Sequence, residues 1–89
     1  MMEELEFRGI HRKDIIIYFQ EMGGTVSEER DDVTYVQHND WKAEIQPETS
    51  FEFMHSEIPV VKLSVEGATA EAHQDVLKKL RLKTFRAGG

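Results

Sequence analysis

Hydrophobic and polar residues alternate along most of this chain, and the period of the alternation divides it into elements. Residues 3–9 place Leu5 and Phe7 on one face and charged residues on the other, which is typical of a half-buried strand. From residue 12 to residue 22 the apolar positions recur at helical spacing, and Gly23-Gly24 is a strong helix stop. The pattern predicts a strand followed by a helix.

The period changes to two after Gly24. Asp31-Asp32 and Asn39-Asp40 are predicted turns, and we expect further turns at residues 47–50 and at Ser56-Glu57. Pro59 stands near the start of the last strand, where its missing N–H does least harm. The predicted strands are residues 25–30, 33–38, 41–46, 51–55 and 61–66.

Residues 68–83 predict a second helix, with Val76, Leu77 and Leu80 on one stripe and Thr69 as its N-cap. Short turns between successive strands make a sheet antiparallel, and a helix with a single apolar stripe must cover a sheet face. We therefore predict one α+β domain over residues 1–89, in the order β-α-β-β-β-β-β-α. Its curved antiparallel sheet would carry both helices on one face.

Charge and composition narrow the choice of partners. The chain has 17 acidic and 11 basic residues, a net charge of −6 and no cysteine, which excludes disulfides, Cys-based zinc sites and thiol chemistry. An acidic body argues against nucleic-acid binding. No apolar run is long enough to span a bilayer, and the acidic start lacks the apolar segment of a secretory signal. We expect a cytoplasmic protein with no nucleic-acid or membrane partner.

The last twelve residues differ from the rest, because they hold five of the eleven basic residues and no acid. Cations near a helix C-terminus complement its dipole, and they also form a candidate basic docking patch. Leu80, Leu82 and Phe85 interleave with the charges, so we expect the segment to pack as a helix end and a following turn. The basic residues are Lys78, Lys79, Arg81, Lys83 and Arg86.

Gly88-Gly89 resembles the ends of sulfur carriers and ubiquitin-like modifiers. In those proteins an activating enzyme must thread an unbranched tail into its adenylation site, and glycine permits the close approach. In a β-grasp carrier, however, the tail follows a strand, whereas here it follows a predicted helix. Carrier function is therefore an alternative hypothesis, with a helix cap or frayed end as the structural interpretation.

Five short motifs follow one another along the chain: Arg8-Gly9-Ile10, Tyr18-Phe19, Met22-Gly23-Gly24, Trp41-x-Ala43-x-Ile45 and residues 80–89. Together they resemble a known family, the C-terminal domain of MoaD-related proteins of thermophilic bacteria and archaea. In some members this domain follows a sulfur-carrier module resembling the small subunit of molybdopterin synthase, a module that these 89 residues do not contain. The resemblance implies a TATA-box-binding-protein-like fold and no established activity. It suggests an association with molybdenum or tungsten cofactor synthesis or with sulfur transfer.

No arrangement of residues identifies a reaction. The four histidines show no HxH or HxxxH spacing; His38 and His55 are weak candidates for a metal site if they meet on the sheet, although scattered surface histidines are more common. There is no phosphate loop and no serine in a nucleophile elbow. We predict no catalytic residues and no cofactor.

Aromatic residues on the strands suggest a binding surface instead. Tyr35, Trp41 and Phe51 are candidates for the uncovered face of the sheet, while a place in the core is the stronger expectation for Trp41 and Phe53. A protein partner or a second copy would bind through the sheet face or a sheet edge. The leading hypothesis is a non-enzymatic accessory domain. The alternatives are a stand-alone sulfur carrier and a small-molecule or metal-binding domain.

Overall fold

The computed structural model describes residues 2–88, with the side chains of residues 2–85. The predicted order and α+β class are confirmed. The helices are α1 (Arg12–Glu21) and α2 (Ala70–Gly88). The strands are β1 (Glu3–Arg8), β2 (Thr25–Arg30), β3 (Val33–Gln37), β4 (Trp41–Ile45), β5 (Thr49–Phe53) and β6 (Ser56–Gly67).

The six strands form a single open sheet in which every pairing is antiparallel. The strand order is β1-β6-β4-β3-β2, and β5 also pairs with β6. β1 lies along one edge of β6, whereas β4 and β5 follow one another along the other edge. Between them, residues 46–48 stand opposite only Val61 and Lys62, which is a β-bulge.

Both helices cover the same face of this sheet, as predicted. Ala43 and Ile45 of β4 and Leu63 of β6 are buried together with Phe19 of α1 and Leu80 of α2 in one hydrophobic cluster. The side chains that alternate with them on the strands point to the uncovered face. The sheet therefore has one apolar, covered face and one open face.

A tight cap ends α1 at the predicted glycines. Gly24 N–H donates to the carbonyl of Phe19 at 2.9 Å and Gly23 N–H to that of Gln20 at 3.0 Å, the two bonds of a Schellman motif. Gly23 has a φ of +95°, a conformation that side chains with a Cβ rarely adopt. A Cβ on Gly24 would lie 2.7 Å from the Trp41 ring, so the helix end can approach β4 only with glycine here.

Arg12, at the start of α1, holds the bulge in place. Its guanidinium donates to the carbonyls of Gln46 and Asp32, each at 2.9 Å, and to the hydroxyl of Thr34. Its backbone N–H donates at 2.7 Å to the Glu48 carboxylate, and this bond lowers the pKa of Glu48. One residue therefore joins the helix start, the β2–β3 turn and the bulge.

The boundaries predicted for β5 and β6 are wrong. Residues 49–50 belong to β5, and the turn lies at Met54-His55, not at Ser56-Glu57, which is part of β6. Phe53 is 57% exposed and so is not a core residue. We call residues 49–59 the hairpin arm, because its β6 residues pair with β5 beyond the last β1 pair at Val60. At the base of the arm, the Gly9 N–H also donates to the Pro59 carbonyl at 2.8 Å.

Candidate docking surface on helix α2

Helix α2 begins where the sequence predicts and buries the predicted stripe. The Thr69 hydroxyl accepts a hydrogen bond from the Ala72 N–H at 3.0 Å, which is the expected N-cap. Val76, Leu77 and Leu80 are buried against the sheet. Unlike the prediction, the helix continues to Gly88 instead of ending near Lys83 in a turn. Of the two described side chains beyond Lys83, Thr84 is buried and Phe85 is exposed.

A second stripe on α2 faces outward, and we call it the α2 ridge: Lys78, Arg81, Leu82 and Phe85. These positions are spaced i, i+3, i+4 and i+7, so they share one side of the helix. Leu82 is 59% exposed and Phe85 is 79% exposed. Together with Gln74 and Leu77 the ridge lines a shallow groove of 330 Å³. The expectation that Leu82 and Phe85 pack is therefore wrong.

The predicted basic patch is divided between two sides of the helix. Lys79 pairs with Asp75 at 3.0 Å and Lys83 with Glu21 of α1 at 3.1 Å, so both are neutralised within the fold. Lys78 and Arg81, on the ridge, form no ion pair with any side chain among residues 2–85. The side chain of Arg86 lies outside the described part. The ridge therefore presents apolar side chains flanked by positive charge.

The three aromatic residues predicted for the sheet face lie in three environments. Trp41 is in the core, 7% exposed, with its ring 5.3 Å from that of Phe19. Tyr35 lies half-buried on the open face, beneath the Arg30 guanidinium at 5.5 Å. Phe51 belongs to the hairpin arm. The structure does not gather them into one platform.

His38 and His55 are not brought together either. His38 stacks on Trp41, which pairs with Gly67, whereas His55 precedes Ser56 at the other end of β6. Roughly 36 Å of extended strand separates the two ends. The Nδ1 atom of His38 accepts a hydrogen bond from the Asp40 N–H at 3.0 Å. Within the described residues no group of three side chains is suited to hold a metal ion.

The family of this chain follows from comparison with known families and not from the geometry described above. A family model described as archaeal MoaD-like protein matches residues 3–89. The chain belongs to this family. No curated protein matches it. In the described part of this MoaD-like chain, no helix is long and apolar enough to cross a membrane.

The match to the MoaD-like family reaches the two terminal glycines. Gly88 is the last residue of α2, and Gly89 lies outside the described residues. Phe85, the last residue of the ridge, thus lies three positions before Gly88, the first residue of the tail in the carrier hypothesis. Sequence reasoning noted the basic residues of this segment but missed the ridge, although the spacing of Lys78, Arg81, Leu82 and Phe85 is a readable signal.

Proposed function

We propose that this chain is a non-enzymatic accessory domain that docks on a protein of sulfur transfer or of molybdenum or tungsten cofactor formation. It would correspond to the C-terminal domain of MoaD-related proteins. The observation that carries the proposal is the α2 ridge, where two large apolar side chains are exposed on a regular helix. Membership of the MoaD-like family supports the choice of pathway.

The chemistry of the ridge defines the partner. Side chains at i, i+3, i+4 and i+7 are the anchors that a helix presents to an apolar groove. Phe85 and Leu82 would fill the groove, while Lys78 and Arg81 would meet acidic residues at its rim. Rim charges act mainly on the association rate and its salt dependence. The partner is thus an acidic protein surface with an apolar groove.

Two enzyme classes are the proteins to test: the ATP-dependent activating enzyme of sulfur carriers and the enzyme that inserts sulfur into the cofactor. Titration calorimetry would measure their affinity for the full chain and for Phe85→Ser. We expect the substitution to weaken binding to one of them about tenfold or more, the effect of losing an aromatic anchor. Ile17→Ser is the control, since Ile17 is 48% exposed on α1 and lies outside the ridge.

Carrier function is a second candidate, because the family match extends through Gly88-Gly89 and the ridge leads to them. A carrier must bear its sulfur as a thiocarboxylate on the carboxyl of Gly89. Intact-mass spectrometry of the protein purified from its own cells would detect this group. Deleting Gly88-Gly89 distinguishes the candidates: an accessory domain keeps its affinity for the partner, whereas a carrier loses thiocarboxylate formation. Unchanged affinity of Phe85→Ser for both enzymes would contradict the docking proposal.

A further inference from the structure

The two faces of the hairpin arm differ in chemistry. Phe51 pairs with Ile58, and Phe53 with Ser56, on the side that faces the same way as Arg8, whose guanidinium lies 5.2 Å above the Phe51 ring. The other side carries the directly opposed pair Glu52 and Glu57. The arm is therefore apolar on the side continuous with the open face of the sheet and acidic on the other.

The arm is poorly stabilised by its own chain. Two-stranded hairpins are marginal in water unless something packs on them. Like charges directly opposite one another destabilise a strand pair, and no base pairs with Glu52 or Glu57 in the described part of the chain. Met54 and His55, in the turn, have φ values of +50° and +70°, which residues other than glycine seldom adopt.

The apolar side chains of the arm are among the most exposed in the molecule. Met54 is 80% exposed and Phe53 is 57% exposed. With Leu82 and Phe85 of the α2 ridge, they are the four most exposed large hydrophobic residues in the described part. Exposed apolar residues grouped on one projecting element are typical of an interaction surface, not of a solvated face.

The open face of the sheet, which adjoins the arm, is balanced in charge. The strand register places five acids and four bases on it, although the whole chain carries −6. Its bases form ion pairs such as Lys42–Glu66 at 3.4 Å and Arg30–Glu28 at 3.6 Å. Two such faces can approach each other with little net repulsion. The residues are Glu4, Glu6, Glu28, Glu44, Glu66, Arg8, Arg30, Lys42 and Lys62.

We propose that a second copy of this chain covers the arm, with the two open faces opposed across a two-fold axis. In such an interface the same patch serves both copies. Phe51, Phe53 and Ile58 of each arm form its apolar centre, and the charged face forms the rim. Glu52 and Glu57 remain in solvent on the outer side. The α2 ridge, on the helix side of each copy, stays free for another protein.

Sedimentation equilibrium of the full chain over a wide concentration range tests this proposal. We expect a concentration-dependent dimer, and we expect Phe53→Glu to raise its dissociation constant about tenfold or more, because it places two carboxylates in the apolar centre. Glu52→Gln, on the other side of the same strand, should leave the dimer intact. Circular dichroism would verify that both variants fold.

Three results would overturn the proposal: a monomer at every concentration, a dimer that tolerates Phe53→Glu, or a dimer that Phe85→Ser dissociates. The last would place the second copy on the α2 ridge. Because Phe53 and Phe85 lie on separate surfaces, the dimer and the docking function fail independently. A dimer lost through Phe53→Glu with partner affinity unchanged would support the assignment of one surface to each role.

Discussion

The two halves of β6 lie in opposite surroundings. From Val61 to Val65 the strand pairs with β1, and from Leu63 onward also with β4, and its alternate side chains are buried under both helices. From Ser56 to Ile58 it pairs with β5 beyond the end of β1, and Phe53 beside it is exposed. One continuous strand therefore contributes to the core in one half and to the hairpin arm in the other.

The same division appears on α2, where Leu80 is buried and Phe85, five residues later, is 79% exposed. In each element apolar side chains occur on a face that the fold does not cover. Burial of an apolar side chain contributes about 1.5–3 kcal/mol, and these side chains forgo it. Their exposure is what the docking and dimer proposals explain. If the exposed side chains contribute little to the fold, the same substitution must affect stability much more in the core than in the arm or on the α2 ridge.

The largest contrast is between two phenylalanines. Phe19→Ala should lower the free energy of unfolding by about 3–5 kcal/mol, because it removes a fully buried ring from the core. Phe53→Ala should change it by no more than about 0.5 kcal/mol at concentrations where the chain is monomeric. Urea denaturation measures both values. A large loss for Phe53→Ala would show that the arm is part of the core.

Substitution of Arg12 tests whether its contacts with the bulge contribute to the stability of the core. Arg12→Met keeps much of the side-chain volume but removes the bonds to Gln46, Asp32 and Thr34, so we expect a loss of about 2–3 kcal/mol. Lys13→Met, at the next and exposed position of α1, should be nearly neutral. Thermal and urea unfolding of the two variants would show the difference. Equal effects would mean that the guanidinium contacts contribute little.

The Glu48 carboxylate makes the stability of the fold depend on pH. The Arg12 backbone N–H lowers the pKa of Glu48 in the folded chain. Such a carboxylate stabilises the fold above its unfolded pKa, about 4.3, and its contribution is lost as the pH falls through the folded pKa. Glu48→Gln keeps an oxygen that can accept the Arg12 N–H bond but removes the negative charge at the N-terminus of α1, so we expect it to cost about 0.3–1 kcal/mol at neutral pH. Below the folded pKa the two proteins should unfold alike, and a constant difference at every pH would contradict the assignment.

The smallest effect concerns the acidic side of the arm. Glu57→Lys converts the pair with Glu52 from repulsive to attractive, which should stabilise the hairpin by about 0.2–1 kcal/mol. We expect the arm to open separately from the core, so slower hydrogen exchange in β5 should report the change while the global unfolding midpoint moves little. Glu4→Lys, the same charge change at an exposed position of β1 outside the arm, is the control. Slower exchange in the control as well would show that charge alone, not the pair, is responsible.

Sequence reasoning succeeded where the signal is local. Gly23, Asp31-Asp32 and Thr69 mark a helix end, a turn and a helix start through chemistry carried by the residues themselves, and all three are confirmed. It failed at the arm, because Met54-His55 has none of the glycine, asparagine or aspartate that such turns favour. The contacts of Arg12 were also invisible, since backbone carbonyls are among its acceptors and any residue supplies one.

The candidate surfaces were only partly predictable. The basic residues of α2 were identified, but which of them stay unpaired depends on Asp75 and on Glu21 of α1, a contact 62 residues away in sequence. Exposure of Phe85 depends on α2 continuing beyond Lys83. Alternation along a strand does not reveal whether a helix covers it, which is why Phe53 was assigned to the core. Tertiary packing decides each of these points.

Residue-resolved hydrogen exchange along β6, recorded at low and at high protein concentration, tests both the difference between its two halves and the covering of the arm by a second copy. We predict that amides between Val61 and Val65 exchange only through global unfolding at both concentrations. The amides that join β5 to β6 within the arm should exchange by local opening at low concentration and gain protection at high concentration, as the second copy covers them. Two results would contradict these expectations: equal protection of amides along the whole strand, or protection of the arm amides that does not change with protein concentration.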